Sequence, residues 1–196
     1  MRFSIEKTIG AGFALAVLCL TLVGVVSFQS TLQLSRDAEK TQHSQTALTQ
    51  LGALRSVVQD DEIGVHAYLI GGGETLLEPY RRARADYPGI ERWLRRLTRD
   101  NPDQKQRFER LSERIGEHLL VSQAMVELMR TRGFETARAF EETSKRKQGL
   151  EVIRREISKM ANSEQALLER RTSQTRSSTS ATLGAIVLST LLAFAL

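Results

Sequence analysis

From Thr8 to Phe28 the chain reads TIGAGFALAVLCLTLVGVVSF, about 21 residues without a charge, and this stretch restricts the folds open to it more than any other. At about 1.5 Å per residue, a helix of that length crosses a hydrocarbon core of roughly 30 Å. A secretory signal peptide would carry an apolar region of only about 7–15 residues ending at a small-x-small cleavage site. Here the pattern runs on into SFQSTLQL, so the expectation is an uncleaved transmembrane helix over residues 8–28. Ala181 to Leu196 is uncharged as well, and at about 16 residues it reads as the start of a second span. Four regions follow: a cytoplasmic N-terminus over 1–7, the span at 8–28, a soluble segment over 29–180, and the second span from 181 to 196. Arg2 and Lys7 precede the first span, and the soluble segment is too long for its own charges to orient it. The positive-inside rule therefore places the N-terminus in the cytoplasm and the soluble segment outside.

That segment, about 150 residues, can bury a core of its own. Aromatics are scarce, prolines are confined to Pro79, Pro88 and Pro102, and Leu, Ala, Glu, Gln and Arg dominate, which favours helix over strand. The expected class is all-α. Cys19 lies within the first span, so no disulfide can staple the soluble part, and its role is lipid contact or packing. The formal charge of +5 raises nucleic-acid binding as a reading. The basic residues alternate with acids along helical patterns and no aromatic-studded basic face accompanies them, so no nucleic-acid partner is expected.

Ala47, Leu51, Leu54, Val58, Asp61, Val65 and Tyr68 recur at alternating four- and three-residue steps, the seam of a helix packed in a left-handed bundle. Gly71-Gly72-Gly73 supplies a reversal. A second helix is expected from near Glu74, with Leu76, Tyr80, Ala83, Tyr87, Ile90, Leu94 and Leu97 on its seam and a kink or short break at Pro88-Gly89. Asn101 caps a third helix with Pro102 at its first position. Phe108, Leu111, Ile115, Leu119, Met125, Val126 and Met129 give that helix its apolar face, with His118 and Ser122 also on the seam, and Gly133 ends it. The last helix is expected from Phe134, loosened around 144–149, through Leu150, Ile153, Ile157, Met160, Leu167 and Leu168, with Glu164 as its polar seam residue. Short connections and two membrane anchors then call for an up-down-up-down four-helix bundle. Its tips lie at the triple glycine and Gly133, and its Asp100-Asn101 corner faces the membrane.

Residues 60–72, DDEIGVHAYLIGG, with Asp60, Glu62, Gly64, Tyr68, Leu69 and Gly72 at the key positions, resemble the D-x-E-x-G-x-x-x-Y-L-L-x-G motif of the third type of CHASE domain, an extracytoplasmic sensory domain of bacterial receptors. Pro79-Tyr80, Asn101-Pro102 with Gln104, Gly133, Ile153-Arg154 and Leu167-Leu168 follow in the order and spacing of that family. His66-Ala67 stands where Arg-Gly is usual, and Arg146 and Leu150 where Gly and Met are usual. The resemblance implies a helical sensor between two spans in the bacterial inner membrane. It also implies a cytoplasmic histidine kinase, nucleotide cyclase or chemotaxis-type module beyond the second.

No catalytic constellation is legible. The triple glycine lacks the Lys-Ser/Thr of a phosphate loop, and His43, His66 and His118 lack the spacing of a helical zinc site, so no cofactor or metal is expected. Asp61, His118 and Glu164 occupy seam positions on three helices and either line a ligand cavity or fix the register of the bundle and of a dimer seam. Arg92, Arg95, Arg96 and Arg99 form a ridge, with Arg92 and Arg96 as candidate contacts to an anion; a solvated face paired with nearby acids is the other reading. Tyr68, Tyr80 and Tyr87 are expected to pack together at the distal end. The functional expectation is the input half of a receptor, homodimeric, taking a small ligand or partner protein as stimulus. The alternatives are a membrane-tethered helical scaffold without sensing, or one part of an enzyme whose catalytic module lies beyond Leu196.

Overall fold

The computed structural model describes residues 2–195, with side chains given throughout 23–173 and at scattered positions outside that range. Among the described residues the chain is all-helical: α1 (Arg2–Gly71), a 3-10 turn (Glu74–Leu77), α2 (Glu78–Leu97), α3 (Pro102–Arg132), α4 (Phe134–Thr143) and α5 (Arg146–Ala195). No helix among the described residues is long and apolar enough to cross a membrane. Part of the span expected over 8–28 and nearly all of that expected over 181–196 fall on side chains outside the described residues, as do Arg2, Lys7 and Cys19.

The chain divides into two compact units, one of residues 1–42 with 167–196 and one of His43–Ala166. In the first, the Arg171 guanidinium donates to the Lys40 carbonyl at 2.7 Å, tying α1 to α5, and Phe13, Leu18, Leu20, Val25 and Phe28 are exposed on α1. Leu168 is half-buried there.

The second unit is the bundle. Gly64 meets Tyr80 while Leu51 lies with Leu94, so α1 and α2 are antiparallel. Arg84 reaches Leu119 and Gln123 while Glu91 reaches Ser112, so α2 and α3 are antiparallel. Ser44 pairs with Glu164 and Glu62 with Arg154, so α1 and α5 are antiparallel. The order is up-down-up-down, as the short connections require.

Local chemistry sets the ends of these elements. Gly72, at φ 70°, takes the chain out of α1 in the left-handed region. Pro79 sits in the first turn of α2, where its missing N–H costs no hydrogen bond. Asn101 accepts from the Gln104 amide at 3.2 Å and Pro102 opens α3. Gly133 ends α3 at φ 80° and ψ 178°, a conformation open to little but glycine.

Two apolar clusters fill the bundle. The larger joins Leu51, Leu54 and Val58 of α1, Leu94 of α2, Phe108, Leu111, Ile115 and Leu119 of α3, and Leu150, Ile153, Ile157 and Met160 of α5. The smaller joins Val65, Tyr68 and Leu69 of α1, Leu77 of the 3-10 turn, Tyr80 of α2, Met125 and Val126 of α3, and Ala137 of α4. Each fully buried aliphatic or aromatic side chain in them contributes about 1.5–3 kcal/mol.

Four expectations are corrected. The short break considered at Pro88-Gly89 is absent, since Pro88 lies inside a continuous α2; it is exposed, so the ring and the carbonyl it leaves unbonded disturb no packing. Leu76 is exposed and Leu77 buried, because the 3-10 turn winds more tightly than an α-helix and resets the phase by one residue. Tyr87 packs against the larger cluster, away from Tyr68 and Tyr80 in the smaller one. The last helix is two helices: Lys145, at φ 52°, breaks the chain between α4 and α5.

Candidate functional site

Between the two apolar clusters lies a buried polar layer. On α3, His118 and Ser122 stand one turn apart and so share a face, and that face meets Asp61 of α1. The Ser122 hydroxyl donates to Asp61 Oδ2 at 2.6 Å. His118 Nε2 approaches the same oxygen to 3.1 Å, at an angle that leaves Nε2 without a hydrogen bond. From the start of α5, Arg146 brings Nη2 to 3.8 Å from Asp61 Oδ2 and Nη1 to 3.7 Å from Glu141 Oε1 of α4. The side chains of Asp61 and Arg146 are 0% and 2% exposed, so the groups of this layer face one another rather than water. Asp61 Oδ1, Glu141 Oε1 and Arg146 Nε and Nη2 are buried without a hydrogen-bond partner.

The layer abuts a cleft of about 590 Å³ lined by His66, Leu69 and Ile70 of α1, Phe134, Arg138, Glu141 and Glu142 of α4, and the first three residues of α5. Lys145 and Arg146 also line a second cleft of about 340 Å³, on the side of His118 and Val121. The break at Lys145 thus forms a partition between two openings.

Glu164 lies elsewhere. It accepts from the Ser44 hydroxyl at 2.9 Å and from the Gln104 side-chain amide, clasping α1, α3 and α5. The cavity beside it is about 30 Å³, room for no more than a water-sized group. Asp61 and His118 are brought together; Glu164 is not with them.

Arg92, Arg95, Arg96 and Arg99 do form a ridge, which with Lys105 and Phe108 lines a groove of about 530 Å³. Arg95 pairs with Glu91 at 2.7 Å, Arg96 lies 4.4 Å over the Trp93 ring, and Arg99 reaches Asp100 at 3.4 Å. Burial raises the Glu91 carboxyl, but the hydrogen bonds from Ser112 and Arg95 outweigh it and leave it below the usual range. Most of the ridge is therefore already engaged, and its exposed pairs contribute little to stability.

The motif residues have structural work. A Cβ on Gly64 would fall 2.5 Å from the Tyr80 backbone nitrogen, so glycine there lets α1 and α2 touch. Glu62 pairs with Arg154, Asn101 caps α3, and Gln104 holds Glu164. Tyr68 and Leu69 are buried, and Asp60 is half-buried. At the glycine turn, Glu74 receives Nε and Nη2 of Arg130, both at 2.8 Å, and Nη2 of Arg81 at 2.6 Å. The Arg130 hydrogen bonds hold the Glu74 carboxyl below its ordinary value. Sequence reading passed over Arg146 and Glu141 as recognition residues, because charged side chains beside a helix break read as solvated. Among the described residues no group of three or more His, Cys, Asp or Glu side chains could hold a metal ion.

The family model of the CHASE3 domain matches residues 37–174, and the chain belongs to that family, a sensory domain of signalling receptors. No curated protein and no solved structure matches the chain.

Proposed function

We propose that the chain is the extracytoplasmic input region of a bacterial transmembrane receptor, anchored by spans at 8–28 and 181–196 with its N-terminus in the cytoplasm. The observation that carries this reading is the sensory-domain match over 37–174, flanked on α1 and on α5 by uncharged sequence. Phe13, Leu18, Leu20, Val25 and Phe28, each more than half exposed, suit a lipid environment. A stimulus that favours one packing of the bundle would shift α5 through Leu150, Ile153, Ile157 and Met160, and with it the second span, by a small piston, tilt or rotation. Leu167 and Leu168 would continue that path. The output, a histidine kinase, nucleotide cyclase or chemotaxis-type module, and any catalysis belong to sequence beyond this chain. A homodimer suits such a module, since two copies would bring two output modules together.

The test is topological. A periplasm-active reporter fused at Gly72 should be active and a cytoplasm-active reporter placed after Leu196 should be active. A silent first reporter, or a mature protein beginning near Gln29, overturns the reading.

A further inference from the structure

We propose that the cleft at the α4–α5 break binds a small zwitterion, an α-amino acid with an apolar side chain, whose carboxylate is taken by Arg146 and whose ammonium is taken by Glu141. The inference deepens the sensor reading and rests on it for what binding accomplishes.

The cleft, about 590 Å³, falls within the usual range for small-molecule sites and has room for an amino acid. Behind its lining lie unmade hydrogen bonds of both kinds, donors at Arg146 Nε and Nη2 and an acceptor at Glu141 Oε1, all closed to water, so a ligand meets them as the Arg146 and Glu141 side chains turn toward it. The two side chains are 2% and 15% exposed, so solvent reaches them poorly. Their separation of 3.7 Å, like that of Arg146 from Asp61 at 3.8 Å, is too long for a hydrogen bond, and the guanidinium is left with donors to give. A plain anion would satisfy Arg146 but set a like charge against Glu141; a plain amine would do the reverse. A molecule with both groups satisfies both, at charge-assisted strength.

Three further features agree. Arg146, Lys147 and Gln148, the first residues of α5, all line the cleft, so the positive end of that helix also favours a carboxylate there. Lys145 is held in the left-handed region at φ 52°, a conformation rare for a side-chain-bearing residue and concentrated at functional sites. Leu69, Ile70 and Phe134 supply an apolar wall, with Ile70 77% and Phe134 41% exposed, for the ligand's side chain to cover.

The test uses the full chain in detergent micelles, with thermal unfolding and titration calorimetry as readouts. The probes are L-leucine, L-valine and L-phenylalanine, together with the two halves of leucine, isocaproate (no ammonium) and isoamylamine (no carboxylate). At least one amino acid should bind saturably and raise the unfolding midpoint, at least about tenfold more tightly than either half, the discrimination a site of paired hydrogen bonds gives. Glu141→Gln, which keeps the side chain's shape, should fold and weaken that binding by about tenfold or more; Arg146→Met should abolish it. The proposal is overturned if none of the three amino acids binds, if isocaproate binds as well as leucine, or if Glu141→Gln leaves affinity unchanged. Binding in micelles does not depend on membrane topology, so a failure here is separate from a failure of the reporter fusions.

Discussion

Ser122 donates its hydroxyl hydrogen to Asp61 Oδ2 at 2.6 Å across the contact of α3 with α1, in a layer that also holds Arg146 and His118. Across the same layer the Arg146 guanidinium faces the Asp61 carboxylate at 3.8 Å, away from water. The layer is therefore expected to tolerate loss of both ions better than loss of one.

Asp61→Ala should destabilise the bundle by about 3–5 kcal/mol, because buried Arg146 is left with Glu141, 3.7 Å away, as its remaining counter-charge and Ser122 loses its acceptor. The double variant Asp61→Leu with Arg146→Met should lose much less than the sum of the two single changes. Urea unfolding followed by circular dichroism measures both; additive losses would show that the two ions are not coupled.

Gly64→Ala should cost about 1–3 kcal/mol, since its Cβ would fall 2.5 Å from backbone rather than from a side chain able to move aside. Gly52→Ala, exposed on the same helix with nothing within 4 Å, should instead stabilise by about 0.5–1 kcal/mol. The pair of unfolding midpoints separates close approach from helix propensity.

Gly133→Ala should cost about 1–3 kcal/mol, because φ 80° with ψ 178° is strained for any residue bearing a Cβ. Its Cβ would meet nothing within 4 Å, so the loss is conformational and should be no smaller for serine than for alanine.

Glu74 gives the glycine turn a pH dependence with a definite sign. Its folded carboxyl is held below the ordinary 4.5, first by the Arg130 hydrogen bonds. The stabilisation is thus fully present above pH 4.5 and is lost as pH falls through the depressed folded value. Hydrogen exchange of residues 71–78 should quicken over that acid range in the wild type, less so in high salt. In Glu74→Gln the added acid sensitivity should be absent.

The seam of α1 was legible because one uninterrupted helix carries a single phase: Ala47, Leu51, Leu54, Val58, Val65 and Tyr68 are all buried. The cap at Asn101 and the glycine exits of α1 and α3 were legible for the same local reason. Phase was lost wherever the helix type or direction changed. The 3-10 turn put Leu77 in place of Leu76, and the break at Lys145 turned Arg146 inward. Glu164 kept its seam position, but its partners Ser44 and Gln104 lie 120 and 60 residues away, a pairing that helical spacing alone does not encode.

Because the ionic layer parts the two apolar clusters, this bundle has not one melting compartment but two. The smaller, assembled from the glycine end of α1, the 3-10 turn, the start of α2, the end of α3 and short α4, is expected to open at less cost than the larger, built on α1, α2, α3 and α5. Amide exchange should therefore show two tiers of protection with their boundary at Asp61. Rearrangement at one end then costs only the breathing of a small core, a division of labour in which half the bundle yields and half keeps its grip.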